Sequence, residues 1–203
     1  MKRFYNRITS EITLNKERAL IVTILNGNPW AENIAFDENI IKLSDALKLN
    51  NHTVKTLLLR DMDIRYCIGC FGCFDKTPGE CSTVADDSRE VRRDYMNSDL
   101  VIFASPIIMG YTSALLKKPT ERNLGLLLPY GEIAQGETHH PARYDKYPQL
   151  GLLLEKNSDS DYEDVEIISD MYMRDAINFH ATLCFTKLTS DPIEEVINEI
   201  NSI

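Results

Sequence analysis

No stretch of this chain is apolar for long enough to cross a membrane. The longer apolar stretches, such as Gly151-Leu-Leu-Leu154 and Leu124-Gly-Leu-Leu-Leu128, fall far below the run of about 18 residues that a span requires. Low-complexity tracts are missing as well, and a composition of 43% apolar and 26% charged residues excludes a disordered or fibrous chain. Basic charge is scarce: 22 Lys and Arg against 31 Asp and Glu leave a net charge of −9. That balance excludes the basic footprint a nucleic-acid partner needs, so an anionic cofactor has to be held by local backbone amides. Met1-Lys-Arg-Phe-Tyr-Asn-Arg7 is basic, but the residues after it are too polar for a secretory signal, and a cytoplasmic protein is expected.

Cysteine is present in an uneven way. Four of the five fall inside fifteen residues, as Cys67-x2-Cys70-x2-Cys73-x7-Cys81, and Cys184 stands alone. A secreted disulfide scaffold spreads an even number of cysteines along the chain, so the cluster points instead to metal, iron–sulfur or thiol redox chemistry. Two-residue gaps let a short loop fold four thiolates around a 4Fe-4S cluster, and Gly69, Gly72 and Gly79 permit the tight turns this needs. Free or reversibly oxidised thiols, a structural zinc ion and inert packing are compatible with the same spacing. Cys184 reads as a core residue.

At 203 residues the chain suits one domain with a continuous core. Residues 1–17 are polar and patternless and read as an extension that packs peripherally or mediates oligomer contacts. From 18 onward, buried-strand runs (Ala19–Leu25, His52–Leu59, Leu100–Ser105, Gly151–Leu154, Ala181–Thr186) alternate with helical patterns (Ile34–Leu49, Ser88–Met96, Ser113–Pro119, Tyr162–Ile177, Pro192 to about Ser202). Pro106 is expected to break the third strand, and Asp191 to cap the last helix. Such alternation predicts an α/β doubly wound parallel sheet, whose ligands lie outside the carboxyl ends of the strands. The candidate loops are Asn26–Asn33, Pro106–Tyr111 and Glu155–Asn157. The stretch 124–149 is long for a structureless connection and reads as a lid or a dimer contact.

Several motifs in register with these strands resemble the flavodoxin-like NADPH-dependent FMN reductases, a family that includes iron–sulfur flavoproteins and quinone reductases. They are Leu25-Asn-Gly-Asn-Pro29, Tyr66-Cys-Ile-Gly-Cys-Phe-Gly-Cys73 closing with Pro78-Gly-Glu-Cys81, the pair Asp86-Asp87, and Ser105-Pro-Ile-Ile-Met-Gly110 leading into Ser113-Ala-Leu-Leu-Lys117 and Glu121-Arg122. The resemblance implies a five-stranded sheet of order 2-1-3-4-5 with helices on both faces. It implies an FMN phosphate cradled by Asn26, Gly27, Asn28, Pro29, Trp30 and Asn33, and a flavin ring along Ser105, Pro106, Ile107, Ile108, Met109 and Gly110. Trp30 and Tyr111 are candidates for stacking.

Family members usually carry Ser or Thr and often a basic residue in the first loop. Here Trp30, Ala31 and Glu32 stand there, and Asn28 and Asn33 are the polar side chains suited to donate. The implied activity is an FMN-dependent NAD(P)H oxidoreductase passing electrons to a small acceptor such as a quinone or free flavin, working as a homodimer or homotetramer. Its rivals are an electron-transfer iron–sulfur flavoprotein served by a protein donor such as ferredoxin, and a redox-sensing or interaction protein that has lost FMN. On the family pattern Cys67, Cys70, Cys73 and Cys81 lie beside the flavin end of the sheet and near a dimer interface. His139 or His140 is a candidate proton source, and Arg143 and Lys146 are candidate partners of a nicotinamide phosphate.

Overall fold

Five of the predicted apolar runs become five parallel strands. The structure is a computed structural model that describes residues 18–203; the predicted extension at 1–17 lies outside the described residues. In chain order the elements are β1 (Ile21–Asn26), α1 (Ile34–Leu49), β2 (Thr53–Leu58), α2 (Gly72–Asp75), α3 (Ser88–Asn97), β3 (Leu100–Ile108), β4 (Tyr111–Thr112) and α4 (Ala114–Arg122). They continue with β5 (Glu132–Ala134), β6 (Glu137–His139), β7 (Gln149–Glu155), α5 (Tyr162–Asn178), β8 (Leu183–Leu188) and α6 (Ile193–Asn201).

The main sheet has the order β2-β1-β3-β7-β8, every neighbouring pair in it parallel. Counted over the parallel strands this is the expected 2-1-3-4-5, and β4 adds a short antiparallel sixth strand against the end of β3. Helices α1 and α6 cover one face through Phe36, Ile40, Leu43, Leu47, Val196 and Ile200. On the other face α3, α4 and α5 bury Val91, Tyr95, Leu116, Ile168 and Tyr172. Each such side chain contributes about 1.5–3 kcal/mol by leaving water. Because both faces are covered, β1 from Val22 and β3 as far as Ile107 are buried at every position, the pattern that made them legible as continuous apolar runs.

Three local expectations are corrected. Pro106 does not break β3: it sits at the last rung of the ladder with β7, opposite Glu155, where a missing N–H costs least. Ile107 and Ile108 then pair antiparallel with Thr112 and Tyr111. The connecting residues Met109 and Gly110 both have positive φ, 52° and 74°, the geometry of a two-residue hairpin turn. Pro192 rather than Asp191 occupies the N-cap of α6, and Asp191 Oδ2 instead accepts from Leu188 N at 2.8 Å. Within 124–149 the chain forms the β5–β6 hairpin and a bridge between Leu127 and Ala142. No described helix is long and apolar enough to cross a membrane.

Candidate functional site

The loop after β1 is closed by its own side chains. Gly27 is required there for close packing, since a Cβ would lie 2.6 Å from Leu116 Cγ and 2.9 Å from Ser113 Oγ. Asn28 is fully buried. Its N–H donates to Asn26 Oδ1 (2.9 Å), its Nδ2 to Asn33 O and Asp37 Oδ1 (both 3.1 Å), and its Oδ1 accepts from Trp30 N (3.1 Å). Asn33 Nδ2 donates to Glu155 Oε2 at 2.7 Å, and its Oδ1 caps α1 at Phe36 N. The two asparagines expected to donate to a phosphate are therefore committed within the protein.

Arg60, just past β2, completes this network. Its Nη2 lies 2.7 Å from Asp37 Oδ2, and its Nη1 reaches Asp37 Oδ1 at 3.2 Å and Asn28 O at 3.4 Å. Burial works to raise the Asp37 carboxyl, but the hydrogen bonds from Arg60, Asn26 and Asn28 outweigh it and hold the group below the ordinary carboxylate range. Arg60 and Asp37 were missed in the sequence. The signal that could have found them is topological: β2 lies beside β1 in parallel, so a residue just past the end of β2 meets the loop just past the end of β1.

What this turn offers an anion is the start of α1. Trp30, Ala31, Glu32, Ile34 and Ala35 are exposed, and the first N–H groups of a helix have no partner within it. An FMN phosphate fits this backbone, while the side chains around it bring carboxylates, Glu32 in the loop and Glu155 beside Asn33. At the second predicted loop Ser105 is fully buried and its Oγ accepts from Ser113 N at 2.9 Å. Ile107 O accepts from Asn157 Nδ2 at 2.8 Å. Met109 at the turn is fully exposed. The three predicted loops thus meet at the carboxyl ends of β1, β3 and β7.

The cysteine turn follows β2 and reaches α4, where Lys118 Nζ sits 5.0 Å from the centre of the Tyr66 ring. Cys67, Cys70, Cys73 and Cys81 all line one small cavity together with Arg92 and Arg122. Its volume, about 30 Å³, has room for a water molecule, so a 4Fe-4S cube requires the turn to spread.

Hydrogen-bond donors surround the sulfurs. The Gly72 amide, helped by the Ser82 and Thr83 hydroxyls, pulls the exposed Cys70 thiol down. Burial works to raise Cys81, but the Thr83 hydroxyl and amide, the Val84 amide and the Arg122 charge prevail and lower it. Burial pushes Cys73 up.

Two guanidinium groups are buried beside the thiols, with residue exposures of 6% for Arg92 and 5% for Arg122. Arg122 pairs with Asp86 at 3.1 Å, yet its Nε has no partner. Arg92 Nη1 donates to a carbonyl, Arg122 O, at 3.3 Å. One carboxylate thus answers two buried cations. Among the described residues no group of three His, Cys, Asp or Glu side chains stands close enough to hold a metal ion. Four thiolates on one turn are, in kind, the donor set that iron–sulfur clusters take.

The predicted histidines fasten the β5–β6 hairpin to α5. His140 Nδ1 lies 2.9 Å from Leu128 O and 3.0 Å from Tyr130 O, and His140 N donates to Asn178 Oδ1 at 2.9 Å. His139 Nε2 is 3.3 Å from Glu137 Oε2, too poorly aligned for a hydrogen bond. Both histidines line a cavity with Arg174, Asp175 and Asn178. Lys146 pairs with Asp99 at 2.7 Å, at the amino end of β3 and away from the ligand end. Arg143 Nε donates to Gly125 O and Leu127 O.

Parallel order, helix placement and the convergence of three loops define a flavodoxin-like α/β protein. The likeness to known proteins agrees with that class. No protein-family model matches the chain. A curated iron-sulfur flavoprotein from Archaeoglobus fulgidus is 34% identical over 113 residues, covering 54% of this chain and 45% of its own length. The chain thus spans less than half the length of the curated relatives it matches.

Among solved structures, an NAD(P)H:quinone oxidoreductase from Methanothermobacter marburgensis superposes with a TM-score of 0.60 at 18% identity, over 91% of each chain. An FMN-dependent NADH-azoreductase from Bacillus anthracis in complex with FMN gives 0.53 at 14% identity, over 89% of this chain and 94% of its own. The resemblance read in the motifs holds in both sequence and fold.

Proposed function

We propose that this protein is an FMN-dependent oxidoreductase of the iron–sulfur flavoprotein type, with FMN at the start of α1 and the β3–β4 turn and a 4Fe-4S cluster held by Cys67, Cys70, Cys73 and Cys81. One observation carries the reading: four cysteines line a single pocket walled by two buried guanidinium groups that have one carboxylate between them. When bound, FMN supplies one- and two-electron chemistry and a cluster supplies one-electron transfer. The chain's own task is to orient these groups, to place amide donors around the sulfurs, and to balance their charge with Arg92 and Arg122.

NAD(P)H is the reductant expected for the reductase reading. A protein donor such as ferredoxin is the second reading. It is favoured by the engagement of Lys146 with Asp99 at the amino end of β3, away from the ligand end of the sheet.

Purification without oxygen tests the proposal. The expected product is brown, with flavin absorption and about four irons with matching acid-labile sulfide per chain. A yellow protein without iron leaves a flavin reductase with free thiols. A colourless protein that takes up neither FMN nor iron refutes the reading. Anaerobic bleaching of the flavin by NADPH without added protein separates the two donors.

A second expectation concerns the acidic rim of the phosphate loop. Glu32→Lys removes a carboxylate and adds a cation beside a helix N-terminus, an effect of about 1 kcal/mol or roughly fivefold in Kd. Titration by flavin fluorescence at low salt should show FMN binding tightened by that factor, with the gain fading as salt screens the exposed charge.

A further inference from the structure

Between α3, the end of the cysteine turn and Tyr144 lies a cavity of about 410 Å³, inside the range of roughly 300–1,000 Å³ typical of small-molecule sites. Its lining includes no residue of Asn26–Asn33, Pro106–Tyr111 or Glu155–Asn157. It reaches Asn97, the last residue of α3, from which the chain enters the amino end of β3, whereas the three candidate loops gather at the carboxyl ends of the strands.

Three guanidinium groups and one carboxylate line this cavity: Arg89, Arg92 and Arg93 on α3, and Glu80. Arg89 and Arg93 are exposed and already answered, Arg89 by Glu80 at 2.9 Å, and Arg93 by Asp94 at 3.5 Å and Glu90 at 3.9 Å. Arg92 differs. It is 6% exposed, and its Nη1 donates to a backbone carbonyl, Arg122 O. Burial and then the Arg122 charge hold its pKa below the ordinary arginine value; Glu80 and Asp86 oppose them through charge alone, without a hydrogen bond. A buried cation in this state gains from an anion that can accept from its fork of donors.

Beside these charges stands an apolar wall of Met96, Leu126 and Tyr144. Gly79 lets the Tyr144 ring come in, since a Cβ there would lie 2.5 Å from Tyr144 Oη.

We propose that this cavity binds an aromatic monocarboxylate, its carboxylate accepting from the Arg92 guanidinium and its ring lying among Met96, Leu126 and Tyr144. The charge pattern selects against the alternatives. A cation meets the guanidinium groups, and a neutral compound leaves Arg92 without a charge partner. A phosphate dianion brings more charge than Arg92 leaves unanswered, faces Glu80, and makes no use of the apolar wall. A thioether and a phenol ring together favour a flat aromatic body. Arg92 lines both this cavity and the cysteine pocket, so the ligand and the sulfurs share one cation.

The test follows methionine methyl resonances in the protein as purified, with benzoate as the probe. The chain has six methionines; Met96 lines the cavity, whereas Met109 stands fully exposed on the β3–β4 turn. Saturable shifts of the Met96 methyl resonance are expected with a Kd below about 1 mM, which corresponds to about 4 kcal/mol, without change at Met109. Benzamide, of the same shape without the charge, and inorganic phosphate should each bind at least about tenfold more weakly. Arg92→Met should weaken benzoate binding at least about tenfold. Asn97→Trp, a substitution at an exposed position on the rim, fills the cavity while keeping the buried charge, and should weaken it by a similar factor.

No saturable shift at Met96 up to about 1 mM benzoate, equal shifts at Met109, or unchanged binding in Asn97→Trp overturns the inference. Benzamide or phosphate binding as tightly as benzoate overturns the assignment of a carboxylate. Displacement of benzoate by FMN places the probe in a flavin site and overturns it too.

Discussion

Asp86→Ala should lower the unfolding free energy by about 3–5 kcal/mol, the usual cost of stranding a buried charge by removing its partner. The Asp86 side chain is fully covered and that of Arg122 is 3% exposed. Arg122 Nη2 donates to both carboxylate oxygens, at 3.1 and 3.2 Å, and to Ser88 Oγ at 3.0 Å. The carboxylate also accepts from Ser88 N at the start of α3 and from Arg65 N at the entry to the cysteine turn. One residue thus ties together the start of α3, the end of α4 and the cysteine turn.

Urea denaturation at neutral pH measures the loss. The double variant Asp86→Ala with Arg122→Met should recover much of it, because no buried charge is then left unpaired. The pH dependence has a defined sign. Burial alone would raise the Asp86 carboxyl, but the bonds from Ser88 and Arg65 and the Arg122 charge hold it below the ordinary aspartate value of 3.8. Its stabilisation is therefore fully present above about pH 3.8 and is lost as pH falls through the folded-state value, so wild type and variant should converge in acid. A gap that stayed constant into strong acid would show that the carboxylate is not the source of the effect.

How much of this was legible in the sequence depends on the kind of signal. Strands buried on both faces announce themselves as unbroken apolar runs, and β1, β3, β7 and the sheet order follow from these and the βαβ rule. Helix faces are read less sharply: Ile34 and Ile41 fit the apolar spacing of α1, yet they are 62% and 59% exposed, while Phe36 is fully buried. The two hairpins were invisible because their turns place Met109 and Gln135 at positive φ, which propensity assigns to glycine or asparagine.

The candidate site divides along the same line. Spacing alone brought four cysteines to one pocket, since a short loop cannot carry them far apart. Arg92 on α3 and Arg60 after β2 are distant in sequence from the groups they serve, and only the packed topology brings them there. The loop after β1 shows the limit of motif transfer: its asparagines occupy donor positions, but their amide N–H groups already donate to Asp37 and Glu155.

Cys73→Ala should leave the chain folded and remove nearly all of its iron, from about four atoms per chain to a trace, whereas Cys184→Ala, in β8 and outside the turn, should retain the full content. Cys70 and Cys81 are drawn toward the thiolate by the donors around them, while burial keeps Cys73 a neutral thiol. A cluster changes that balance by binding Cys73 as a thiolate, and the negative charge it brings answers the second buried guanidinium that Asp86 leaves unpaired.

With Cys73 removed, three sulfurs remain around a position that faces Gly125 and Leu124. Iron and sulfide assays on anaerobically purified protein decide the matter, with circular dichroism showing that the variant is folded. Full iron in Cys73→Ala would place any cluster outside this turn. Equal loss of iron in Cys184→Ala would show that the assay reports general destabilisation rather than ligation.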